Sequence, residues 1–133
     1  MSAKDPAVNR PLSPFMLGQY YRFQLSSSLS FLHRLTGIGL AIGSIGLAAW
    51  VLCAAMGPGH YAAYTGFATS PFGQFLLICW SWALFFHLCN GIRHLVWDGV
   101  MAFERSQIDL GGWLVVIGSL VLTLILWLVV YFV

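Results

Sequence analysis

The stretch His87 to Asp98, H-L-C-N-G-I-R-H-L-V-W-D, decides how the rest of the chain is read. It closes a long apolar segment, yet within twelve residues it holds two histidines, an asparagine, an arginine and an aspartate. A charge near the centre of a bilayer costs about 2.5–3.5 kcal/mol on insertion scales, so ionisable residues inside a membrane helix point to function. On a helix, His87, Gly91, His94 and Asp98 fall at i, i+4, i+7 and i+11 and form one stripe, with Arg93 off it. A histidine with a glycine one turn on suits a flat cofactor pressed against the backbone.

The composition requires a membrane around that motif. Of 133 residues, 59% are hydrophobic and 8% charged, and the mean hydropathy is +0.84, which leaves too little polar surface for a soluble domain. A net charge of +2 is too small to point to nucleic acid, so no nucleic-acid partner is expected. Cys53, Cys79 and Cys89 form neither C-x-x-C nor C-x-x-C-H, so a thiolate metal site and covalent haem attachment lack support, and the cysteines read as small packing residues. The first apolar run is too long for a cleavable signal and is expected to stay as an anchor. The opening lacks transit-peptide character, which favours a bacterial chain.

The expected fold class is an all-α integral membrane protein with three transmembrane helices and an N-terminal interfacial arm, part of a multi-subunit helical bundle. Pro6, Pro11 and Pro14 break the opening, and Phe15, Tyr20, Tyr21, Arg22 and Phe23 suit the headgroup level, so residues 1–28 read as a cytoplasmic and interfacial arm. Residues 29–133 form the anchor domain. Ser26, Ser27 and Ser28 are expected as N-caps of a first span over about 29–56, with further spans over about 72–97 and 113–133. Gly57 to Pro71 reads as a loop, and Asp98 to Gly112 as a second connection. Lys4, Arg10, Arg22 and Arg34 precede or open the first span, whereas the first loop has no basic residue, which sets the amino terminus in the cytoplasm and the carboxyl terminus in the periplasm.

That topology brings the start of the first span and the end of the second to one side of the membrane. Ser30, Arg34 and Gly37 share a face at i, i+4 and i+7, a hydroxyl and a guanidinium over a gap that a ring or an anion can enter. His33 is expected to point elsewhere, towards the interface. Plainer roles are open to each side chain: a serine bonds back to its own helix, Arg34 and Arg93 anchor lipid phosphates, and His94 pairs with Asp98.

Two motifs together carry a family resemblance. His87, Gly91, Ile92, Arg93, His94, Leu95, Trp97 and Asp98 match H-x-x-x-G-[aliphatic]-R-[H/F]-[apolar]-x-[aromatic or Met]-D. Upstream, Arg10 to Pro14 match R-P-L-S-P, and Ser30, His33, Arg34, Thr36 and Gly37 match S-x-x-H-R-x-[S/T]-G. The chain resembles the cytochrome b membrane-anchor subunits of succinate dehydrogenase, respiratory complex II, over nearly its whole length. One departure is Phe15, where many relatives carry histidine after R-P-L-S-P.

The resemblance implies that His87 is an axial ligand to the iron of haem b, the other ligand coming from a second membrane anchor subunit. It further implies that Arg34 and His94 lie near the haem propionates, that Gly91 and, less directly, Arg93 belong to the haem side, and that Ser30 and Arg34 contact ubiquinone. FAD and Fe–S clusters would reside in a flavoprotein subunit and an iron–sulfur subunit, leaving this chain electron transfer and quinone binding but no succinate chemistry. The implied setting is the bacterial inner membrane, with membrane lipid around the bundle. Two alternatives stay open: a quinol:fumarate reductase anchor, built of similar parts run in reverse, and a haem-free structural anchor.

Overall fold

The structure, a computed structural model, describes residues 24–102 and 104–133. The expected arm, including R-P-L-S-P and its aromatic cluster, lies outside the described residues up to position 23. Among the described residues there are four helices and no strand: α1 (Leu25–Met56), α2 (Pro58–Ala68), α3 (Pro71–Asp98) and α4 (Arg105–Phe132). α1, α3 and α4 are each long and apolar enough to cross a membrane. At 32 residues, α1 runs ~48 Å, well beyond the ~30 Å hydrocarbon core, so its ends reach into both headgroup layers or it tilts.

The helix boundaries correct three sequence expectations. Ser26, Ser27 and Ser28 lie inside the first turn of α1 rather than capping it; the N-cap is Gln24, in extended conformation and with no side-chain cap bond, and Ser28 Oγ donates back to the Gln24 carbonyl. The first loop is largely the helix α2. Its Gly57 and Pro58 mark a helix start: Gly57 takes a φ of +112°, which turns the chain sharply, and Pro58 sits in the first turn, where its missing N–H costs nothing. The second connection is short, because α4 begins at Arg105 behind a capping box in which Glu104 and Gln107 serve each other's backbone N–H.

α2 packs against α1 and α3, with the Tyr64 hydroxyl donating to the Gly46 carbonyl at 2.8 Å. Ser70 then caps α3 by accepting from the Gly73 N–H at 3.1 Å. Gly73 is obligatory there, because a Cβ would collide with the backbone of Phe67 and Ala68. α3 and α4 make the main helix pair, and α1 rides on α3.

The interior is small and unusually polar. Leu29, Phe86 and Val115 form its apolar heart, and Thr36, Ser81, Asn90, Arg93, Ser119 and Thr123 are buried around them. This is how helices pack in lipid, where burial of apolar surface gives no drive and small hydroxyl residues allow close approach. Ser119 and Thr123 return their hydroxyl protons to their own helix, and the Trp127 indole N–H donates to Ser81 Oγ at 3.0 Å, tying α4 to α3. The outward faces carry bare Ile38, Ile42, Ile45 and Leu124, as lipid or partner helices require.

Candidate functional site

α1 and α3 run antiparallel, so the start of α1 meets the end of α3. Three imidazoles converge there: the His33 and His87 rings stack at 3.9 Å with 9° between planes, and His94 sits 5.3 Å from His33 at a tilt of 53°. His33 was expected to point elsewhere; instead it faces α3. The reason is visible on one turn of α1, where His33, Thr36 and Gly37 stand at i, i+3 and i+4 and make the face that α3 packs on.

His87 is held through one ring nitrogen. Its Nδ1 lies 3.1 Å from the His33 carbonyl and 3.4 Å from Thr36 Oγ1. A carbonyl can only accept, so Nδ1 carries the proton and Nε2 is left with its lone pair. The gap expected over Gly37 is filled by this ring: a Cβ on Gly37 would stand 3.1 Å from His87 Cε1. One turn beyond His87, a Cβ on Gly91 would meet nothing within 4 Å, so the backbone there borders open space.

Beside the histidines lies an open cleft of ≈ 420 Å³ lined by Ser26, Ser30, Arg34, Arg93, His94 and Trp97, among others. Two guanidiniums and an imidazole line it and, among the described residues, no carboxylate does, which suits it to an anion or to a group that gains negative charge. The two arginines differ. Arg34 is exposed, whereas Arg93 is only 7% exposed: its guanidinium lies 4.0 Å from the centre of the Trp97 ring, its Nη2 donates to the Ile108 carbonyl at 3.2 Å, and its Nε is buried with no partner among the described residues. Arg93 is therefore largely committed to holding α3 on the first turns of α4. A larger cavity of ≈ 590 Å³ between α1, α2 and α3 is lined by Gly43, Leu47, Trp50 and Trp80, with no histidine or charged side chain among the described residues, and lies away from this chemistry.

The structure thus brings Ser30, Arg34, Arg93 and His94 together around one cleft and links His87 to them through His33. His94 does not pair with Asp98: it lies 3.5 Å from Asn90 Nδ2 and packs edge-on against Trp97, while Asp98 is exposed. The helix end explains this, since an aspartate at the last residue of a helix gains by turning to solvent, away from the negative end of the dipole. Stripe reasoning along single helices missed His33, Thr36 and Asn90. Asn90 is fully buried, and its position between His87 and His94 was the available signal.

The family described as succinate dehydrogenase/fumarate reductase transmembrane subunit matches residues 6–126. The chain belongs to this family. It is similar to the succinate dehydrogenase cytochrome b556 subunit of Rickettsia felis, 40% identical over 118 residues covering 89% of this chain and 90% of the relative. The cytochrome b556 subunit of Paracoccus denitrificans is 36% identical over 125 residues, 94% of each chain. The mitochondrial cytochrome b560 subunit of Bos taurus is 35% identical over 128 residues, 92% of this chain and 70% of the relative. Both membership and coverage agree with an all-α chain of three membrane-crossing helices.

Proposed function

We propose that this chain is the cytochrome b anchor subunit of succinate dehydrogenase. In this reading His87 would hold haem b together with a histidine of a second membrane anchor subunit, and Ser30 and Arg34 would contribute to the ubiquinone-reduction site. Electrons arrive from the iron–sulfur subunit, and the flavoprotein subunit oxidises succinate. The observation that carries the reading is the state of His87: its Nδ1–H is engaged by the His33 carbonyl, so its Nε2 lone pair is free to bind iron. The surroundings fit a porphyrin as well. Gly91 leaves bare backbone one turn on, and Arg34 and His94 supply a guanidinium and an imidazole as partners for carboxylates at the cleft.

Bound there, haem b would supply a one-electron carrier. The chain's own residues do the rest. Ser30 Oγ donates to a quinone carbonyl oxygen, and Arg34 stabilises the negative charge that develops on the ring as electrons arrive, the ordinary effect of a preplaced cation. His94, beside both, is suited to hold a proton at a ring nitrogen for delivery to the reduced quinone. Arg93 keeps the α3 end of the cleft in position. The names of the relatives favour succinate oxidation over fumarate reduction. The basic residues before and within α1, against none in residues 57–71, support a cytoplasmic amino terminus in a bacterial inner membrane.

Purification of the complex through a tag on this chain tests the proposal. Flavoprotein and iron–sulfur polypeptides should co-elute with succinate-driven reduction of a short-chain ubiquinone. Recovery of the intact chain with neither partner nor activity would overturn it.

A further inference from the structure

We propose that His33, Thr36 and Gly37 form a seat for the His87 imidazole, and that Thr36 is a positioning residue that sets the redox potential of the haem. The inference rests on the reading of His87 as the iron ligand. Each member of the seat fixes a different freedom of the ring. Gly37 fixes how close it can come to α1: a Cβ there would press on Cε1 at 3.1 Å and on Nδ1 at 3.6 Å. The His33 ring, stacked at 3.9 Å and nearly parallel, fixes the plane in which the imidazole lies. The His33 carbonyl and Thr36 Oγ1 both stand at Nδ1 and fix the tautomer.

Thr36 is suited to accept from that N–H because its own proton is already committed. Its hydroxyl lies 2.8 Å from the Leu32 carbonyl and 3.0 Å from the His33 carbonyl, so it donates back into α1 and turns lone pairs towards His87. The His33 carbonyl, by contrast, is shared with the ordinary helical bond from the residue four further on. Thr36 is only 6% exposed, which leaves little access for water to replace it. An acceptor on the far nitrogen of a metal-bound imidazole raises the basicity of the ligand and favours the oxidised metal. Removing that acceptor should therefore raise the haem potential. The positions matched in the α1 motif thus acquire a reason: His33, Thr36 and Gly37 face the ligand of α3, while Ser30 and Arg34 face the cleft.

Redox titration of the haem α-band in the purified complex tests this. Thr36→Val keeps the branched shape and removes the oxygen; it should retain the band and favour the reduced form roughly threefold at a fixed potential, ~28 mV upward at 59 mV per tenfold for one electron. Thr36→Ala, also without the oxygen, should shift in the same direction if the valine variant does not assemble. Thr36→Ser restores the hydroxyl and should titrate with the wild type. An unchanged potential in Thr36→Val or Thr36→Ala, or a serine variant that shifts as they do, overturns the role of Thr36. A wild-type complex with no α-band would instead overturn the reading of His87, and the seat with it.

Discussion

Arg34→Ala should damage quinone reduction at the chemical step rather than at binding. Arg34 shares the cleft with Ser30, one helical turn back, and with His94, so a quinone oxygen placed between them faces the guanidinium as charge builds on the ring. Two unit charges about 4 Å apart interact by about 1 kcal/mol under bulk-water screening and about 4 kcal/mol at an effective dielectric of ~20. Arg34 is exposed and the cleft is open, so screening lies between these limits. A loss of about 1.4 to 2.7 kcal/mol follows, or roughly 10- to 100-fold in kcat. The interaction strengthens only as charge develops, so KM should change less than about threefold. On the proposed quinone site, Ser30→Ala would remove a hydrogen bond to the neutral quinone, worth about 1 kcal/mol, and should raise KM about fivefold with kcat nearly kept. Steady-state kinetics with a short-chain ubiquinone measures both, and succinate-driven reduction of a soluble dye at the peripheral subunits checks that electron supply is intact. A kcat within twofold of wild type in Arg34→Ala would refute the reasoning.

Two further predictions concern the scaffold. Arg93→Lys keeps the charge but loses the flat stacking on Trp97 at 4.0 Å, and should lower stability by about 1 kcal/mol, read as earlier thermal loss of the assembled complex in detergent; a variant as stable as wild type would show that the stacking contributes nothing. Gly43→Ala would drive a methyl group into the Trp80 indole, which lies directly on that glycine, and should destabilise by about 1–3 kcal/mol in the same assay, with Gly39→Ala, where a Cβ meets nothing within 4 Å, as the neutral control.

The three spans were legible because lipid imposes long apolar runs, and those runs survive any error in detail. What differed were the starts of α1 and α4 and the helical character of residues 57–71, each for a local reason. Pro58 and Gly59 look like a loop until one notices that proline is at home in the first turn of a helix, as it is in α2 and again at Pro71 in α3. Arg105 to Asp109 look like an aqueous connection, but a capping box lets a helix begin among charges. The site was legible as far as single-helix stripes reach: Ser30 and Arg34 line one cleft, whereas Arg93 lines that cleft too but donates across to the Ile108 carbonyl of α4. His33 was lost because its role depends on the helix it faces. A stripe lists the residues that share a face, and only packing decides which face is buried.

The central claim is that His87 ligates haem, and one comparison tests it most directly: reduced-minus-oxidised visible spectra of the assembled complex from wild type and from His87→Ala. The wild type should show a sharp b-type α-band near ~556 nm, the wavelength carried in the names of the bacterial relatives. In His87→Ala the band should vanish or collapse to a weak, shifted remnant, since the partner histidine alone cannot fill both axial positions. A wild type with no band and full succinate-driven quinone reduction, or a variant whose band is unchanged, would contradict the account.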